Sequence, residues 1–163
     1  MDLQQFGHPN ANIASWIPLI VLIGLCATAA WLDATQRRLP NWLCALTAVF
    51  GLVVAFVLGG LSEVGNHGLH LAAALAGGLA LFSVRIIGAG DAKYYAGIAS
   101  WFALSEAIKL LLFVSLSGVA LLIVWFAYRR AKGIPIRSKT NSLSDSLPYG
   151  LAIGAGAVLT ALV

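Results

Sequence analysis

Charge is scarce in this sequence. Only 10% of its 163 residues are Asp, Glu, Lys or Arg, against roughly 25% in soluble domains. So few charges cannot build a polar shell around a core, which excludes an ordinary water-soluble globule. Cysteine is scarce as well. Cys26 and Cys44 stand singly in apolar surroundings and form no CxxC pair, which argues against a disulfide framework or a zinc knuckle. His8, His67 and His70 fall in the N-terminal tail and one loop with no second ligand set beside them. They read as surface or interfacial residues, and the chain is expected to need neither a metal nor a cofactor. Low-complexity tracts and internal repeats are absent.

What is abundant is apolar surface. Hydrophobic residues make up 60% of the chain and the mean hydropathy is +0.91. A bilayer core takes about 20 apolar residues in a helix. Six candidate spans meet or approach this, at about 16–32, 42–61, 69–84, 85–106, 107–128 and 147–163. Backbone groups in lipid must be satisfied within the segment, so the spans are helices. The expected fold is an all-α, polytopic membrane bundle of about six helices, one domain over residues 1–163. Ala27-Thr28-Ala29-Ala30 resembles a signal-peptidase site, but no Lys or Arg precedes the first span and Arg37 and Arg38 follow it. That pattern suits a retained span.

The positive charges orient the bundle. Arg37, Arg38, Arg85, Lys93, Arg129, Arg130, Lys132, Arg137 and Lys139 fall at one face, and only Lys109 at the other. The positive-inside rule places the nine in the cytoplasm and both termini outside. The same asymmetry accounts for the net charge of +4 through anionic membrane lipids as partners, without nucleic acid.

The acidic residues carry the functional signal. Asp2, Glu63, Glu106 and Asp145 fall in tails or loops and read as solvated. Asp33 and Asp91 differ. Asp33 ends the first span. Asp91 lies in Gly88-Ala89-Gly90-Asp91-Ala92-Lys93, before an apolar run too short to cross the membrane unless it recruits that segment or sits in thinned bilayer. Both carboxylates therefore belong to the same membrane face, at or just inside its boundary, where an ionisable group marks function. If they meet, the pair would share one proton. One carboxylate would activate water as a base while the other protonates the carbonyl oxygen or leaving amine. No nucleophilic serine or cysteine is required.

Neighbouring residues fit the same site. Gly88 and Gly90 allow unusual backbone conformations and close approach of an extended substrate, although glycines also pack membrane helices. Lys93 either acts on a neighbouring carboxylate or snorkels outward as an anchor. Leu39-Pro40-Asn41 has the chemistry of a helix start. Pro148-Tyr149-Gly150 opens the last span with a helix breaker and an interfacial tyrosine.

Together these residues resemble the type IV prepilin peptidases, of the GxGD class of membrane aspartyl proteases. The resemblance rests on Asp33 followed by Arg37, Arg38, Pro40 and Asn41, and on the GxGDxK block Gly88 to Lys93, in this order and over nearly the whole chain. It implies catalysis by Asp33 and Asp91, with Gly88, Gly90, Lys93, Arg37, Arg38, Pro40 and Asn41 in support. Cleavage would follow a glycine ahead of the hydrophobic helix of a prepilin or pseudopilin, at the cytoplasmic face of a bacterial inner membrane. Large members carry paired CxxC motifs and N-methyltransferase activity. This chain resembles instead the short form serving Flp/Tad-type pili, where Leu-Pro-Tyr-Gly before the last span is familiar (Leu147 to Gly150), with Pro148, Tyr149 and Gly150 on the substrate side. Two other readings use the same carboxylates or none. One is a small proton-coupled transporter or channel, in which they relay protons. The other is a non-catalytic assembly subunit.

Overall fold

The structure is a computed structural model that describes residues 13–132 and 148–163. Asp2, His8, Arg137, Lys139, Asp145 and Leu147 lie outside the described residues. All regular structure among those described is helical. The helices are α1 (Ile13–Gln36), α2 (Asn41–Ser83), α3 (Ala89–Ala99), α4 (Ala107–Ala131) and α5 (Tyr149–Leu162), with a single 3-10 turn at Leu104–Glu106 before α4. Three apolar helices are long enough to cross a membrane, at Trp16–Gln36, Asn41–Ser83 and Leu104–Ala131, and Tyr149–Leu162 is a shorter apolar helix. Large apolar side chains such as Ile20, Val57, Leu61, Ile108 and Ile123 are exposed around the bundle. This is the surface of a multi-pass membrane protein, whose outer face meets lipid rather than water.

The second element is two spans in one. At Gly60 the backbone takes φ 71° and ψ −162°, a conformation open almost only to a residue without Cβ. The chain reverses there. Asn41 and Gly78 both lie beside the start of α3, at Lys93 and Ala92. Ala48 and His67 both reach Ser100 near its end. The limbs before and after Gly60 are thus antiparallel and flank α3. The sequence suggests a loop at 62–68, yet the helix resumes directly after Gly60. Small residues permit this packing. A Cβ on Gly51 would lie 2.8 Å from the Ser100 carbonyl carbon, and one on Gly97 2.8 Å from the Cys44 oxygen.

This packing supplies partners at the end of a helix too short to cross a membrane. At 1.5 Å per residue, α3 is only about 16 Å long, and its terminal carbonyls need donors where water is excluded. His67 Nδ1 reaches Ser100 O at 2.9 Å, and His70 Nδ1 reaches Phe102 O at 3.0 Å. A carbonyl only accepts, so both imidazoles carry their proton on Nδ1. Asn66 Oδ1 accepts from the Leu104 N–H at 3.2 Å, and Trp101 Nε1 donates to Thr47 O at 2.9 Å. The expectation of a loop is therefore wrong for His67 and His70, and that of a surface or interfacial residue is wrong for His70. Both lie on α2 and bind carbonyls of the turn after α3; His67 is half-buried and His70 buried. Glu63, expected to be solvated, likewise turns inward, with Oε2 buried 3.7 Å from His67 Nε2.

The remaining helices form a second layer. α5 packs antiparallel to α1 and to α4. Gly154 lies against Cys26, and Gly156 against the Val114 backbone. These alternations bring the α1–α2 turn, the α2–α3 turn and the C-terminal end of α4 to one end of the bundle. Arg37, Arg38, Arg85, Arg129, Arg130 and Lys132 gather there, with Trp31, Trp42 and Tyr128 exposed beside them as an interfacial aromatic belt.

Candidate active site

Asp33 sits in the last turn of α1. The helix ends when Arg37 adopts φ 53° and its N–H closes on Asp33 O at 3.0 Å, the left-handed cap usually given to glycine. An arginine there costs about 1–2 kcal/mol of backbone strain. The reversal brings the Arg37 charge to act on the Asp33 carboxylate and leads through Leu39 into Pro40. Pro40 precedes α2 with ψ 143°, and its carbonyl accepts from Leu43 and Cys44.

Asp91 sits in the first turn of α3. Its carboxylate lies beside Gly88, the residue before the helix, at the end where unpaired backbone N–H groups favour negative charge. The backbone at Gly88 has φ −74° and ψ 148°, open to any residue, so its conformational freedom is not used. Space is what matters: an added Cβ would lie 2.9 Å from Asp91 Oδ2. Gly90 is helical, and a Cβ there would meet Leu39 at an ordinary 3.6 Å. It lines the cavity rather than permitting a turn.

The two aspartates converge. Asp33, Gln36, Arg37, Arg38, Pro40, Asn41, Gly88, Gly90 and Asp91 line one cavity of about 550 Å³, and the carboxylates are near enough for their charges to interact. Asp33 is 7% exposed and Asp91 half-buried. Lys93 stands apart from the pair: Nζ donates to Asn41 Oδ1 at 3.0 Å and ties α3 to the first turn of α2. Among the described residues no three His, Cys, Asp or Glu side chains form a metal cluster. Cys26 and Cys44 are buried, free thiols.

Gly150 is the residue whose part the sequence did not make plain. Its N–H, at the N-terminal turn of α5, donates to Asp33 Oδ2 at 2.7 Å. An added Cβ would sit 2.9 Å from that oxygen, 3.1 Å from Leu39 Cδ1 and 3.3 Å from Asp33 Cβ. Gly150 thus enters as support for Asp33. Each carboxylate is held at a helix N-terminus, Asp91 at its own and Asp33 at that of α5, where unpaired N–H groups favour negative charge. Pro148 precedes α5 and accepts from Leu151 N–H. Tyr149 packs its ring against Gly118 of α4 and lines a separate apolar groove that also reaches Asp91. The only hint in the sequence was the Pro-Tyr-Gly run at a helix start, which says nothing of the distant α1.

The type IV leader peptidase family model matches residues 20–123. The match runs from within α1 into α4, including both aspartates, and leaves α5 outside. No curated protein and no solved structure matches the chain. A match over more than half of the sequence settles its kinship: the chain is a member of the type IV leader peptidase family, membrane peptidases whose substrates are prepilins.

Proposed function

We propose that this peptidase is an aspartyl endopeptidase that removes prepilin leaders at the cytoplasmic face of the bacterial inner membrane, with Asp33 and Asp91 as its catalytic pair. The observation that carries the reading is the single cavity lined by both carboxylates. Brought together on a substrate, like charges favour a state in which the pair holds one proton. The ionised member takes a proton from a water as its oxygen bonds to the scissile carbonyl carbon. The protonated member gives its proton to the carbonyl oxygen, forming a neutral gem-diol. In the second step the pair returns a proton to the nitrogen, the C–N bond breaks, and the amine leaves as the carboxyl product forms. Gly150 holds Asp33 through its backbone N–H, which needs no rearrangement during the reaction.

Membership of a peptidase family favours this reading over a transporter using the same residues. The basic end of the bundle supports the cytoplasmic placement. The Leu147 to Gly150 block supports a Flp/Tad-type prepilin as substrate. We read the chain as a single transmembrane peptidase domain. Co-expression with a cognate prepilin tests the proposal: wild type converts it to the shorter mature form, and Asp33→Asn or Asp91→Asn leaves it uncut. Full processing by either variant removes that aspartate from the mechanism.

A further inference from the structure

Asp91 borders two cavities. One is the polar cavity it shares with Asp33. The other is an apolar groove of about 580 Å³ between the C-terminal limb of α2 and α4. Both walls pack on the 3-10 turn at Leu104–Glu106 at the end far from the site, while packing between the walls themselves is sparse. The groove is therefore closed at one end and open along its length, and the exposed side chains of Leu81, Ile108 and Leu111 on its rim turn it toward lipid. On the α2 wall it runs from His70 to Leu81, about 16 Å at the helical rise, or three turns. Asp91 and Tyr149 stand at its site end.

We propose that this groove seats the apolar helix of the substrate protein, so that the bond just before that helix is delivered to the aspartates. The inference rests on the peptidase reading above. What selects this occupant is adjacency. In that reading the cut bond directly precedes an apolar helix, and the cavity holding the aspartates shares Asp91 in its wall with an apolar trough that follows the α2 limb. The length suits the first three turns of a helix lying beside α3 and α5. Helices associate in lipid through close packing. At Gly77, on the exposed side of the α2 wall, an added Cβ meets nothing within 4 Å, so the wall offers bare backbone to an incoming helix. Binding through the helix, away from the reacting bond, would lower KM and align the bond with the pair.

The test compares two substrates and two variants. Gly77→Phe places a ring on the groove wall from a Cβ position that meets no native atom within 4 Å. Gly65→Phe, also in open space on the same limb but outside the groove, is the control. With purified enzyme in liposomes, Gly77→Phe raises KM for the full-length prepilin at least tenfold. It leaves cleavage of a soluble peptide, ending a few residues beyond the cut, within twofold of wild type. Gly65→Phe changes neither. A Gly77→Cys thiol, with the two native cysteines buried, cross-links to a single cysteine in the first three turns of the prepilin helix. An unchanged KM for full-length prepilin in Gly77→Phe overturns the proposal, whether lipid or nothing fills the groove. If Gly77→Phe is inactive on both substrates, the cross-link decides. Its absence, or its formation to a second copy of the enzyme instead, overturns the proposal too. Failure of the underlying peptidase reading would look different: Asp91→Asn would cut both substrates.

Discussion

Replacing Gly150 by alanine is expected to cripple turnover while leaving the fold and substrate binding nearly intact. The added methyl would stand 2.9 Å from Asp33 Oδ2, closer than real Cβ atoms come to an oxygen, and 3.1 Å from Leu39 Cδ1. Rotating the carboxylate away breaks the 2.7 Å bond from Gly150 N–H. Moving α5 away instead disturbs its contacts with Cys26 and Val114. Either adjustment shifts Asp33 by several tenths of an ångström, and a misplacement of about 1 Å can lower a rate about 100-fold. A decrease in kcat of roughly 10- to 100-fold follows, with KM within threefold because the substrate's own contacts are untouched. Stability changes little, since a helical Gly→Ala exchange returns about 0.5–1 kcal/mol against the local crowding. The assay is steady-state cleavage of purified prepilin in liposomes, paired with thermal unfolding in detergent. Gly24→Ala, where an added Cβ meets nothing, is the control. A Gly150→Ala enzyme with kcat within threefold of wild type refutes the argument that the α5 backbone holds Asp33.

Other perturbations separate support from chemistry. Arg37→Gly relieves about 1–2 kcal/mol of left-handed strain but removes the charge acting on Asp33. It is expected to raise or preserve the melting temperature while lowering kcat, and a loss of both would show that Arg37 serves only the fold. Lys93→Met breaks the bond to Asn41. At this exposed position the loss is expected to stay below about 1 kcal/mol, with cleavage within threefold of wild type, and a 100-fold fall in kcat would return Lys93 to the reaction. His70→Phe leaves Phe102 O without its donor and is expected to destabilise the protein by about 1–3 kcal/mol with activity per folded molecule unchanged. Unaltered thermal unfolding would contradict the capping role.

Much of this architecture was legible because lipid restricts the choices. Apolar length identified helices, and among the described residues Arg37, Arg38, Arg85, Arg129, Arg130 and Lys132 gather at one end, in line with the charge asymmetry. The short apolar run after Asp91 suggested that the GxGDxK segment is recruited to complete a span or that the bilayer thins there; α3 does take in Ala89 to Lys93, yet at 11 residues it is still too short to cross a membrane. Less legible was anything set by contact between distant segments. Gly60 is one of 17 glycines, and nothing local distinguishes the one that reverses the chain. Glu63, His67 and His70 look like loop residues because polar side chains are rare in spans. The histidines serve the Ser100 and Phe102 carbonyls in the turn after α3, and Glu63 faces His67, relations visible only once the limbs fold around α3. Gly88 was noticed for its conformational freedom and turns out to matter for space beside Asp91. Gly150 supports an aspartate 117 positions away, a relation that no periodicity in the sequence records.

The central claim is that Asp33 and Asp91 act together on one peptide bond. Single-turnover cleavage of a cognate prepilin by purified Asp33→Asn and Asp91→Asn enzymes, each matched to wild type in thermal unfolding, tests it most directly. The account predicts that each variant alone, and the double variant equally, falls at least 1,000-fold, on the order of removing a whole acid–base function. Either single variant retaining a tenth of the wild-type rate would contradict it.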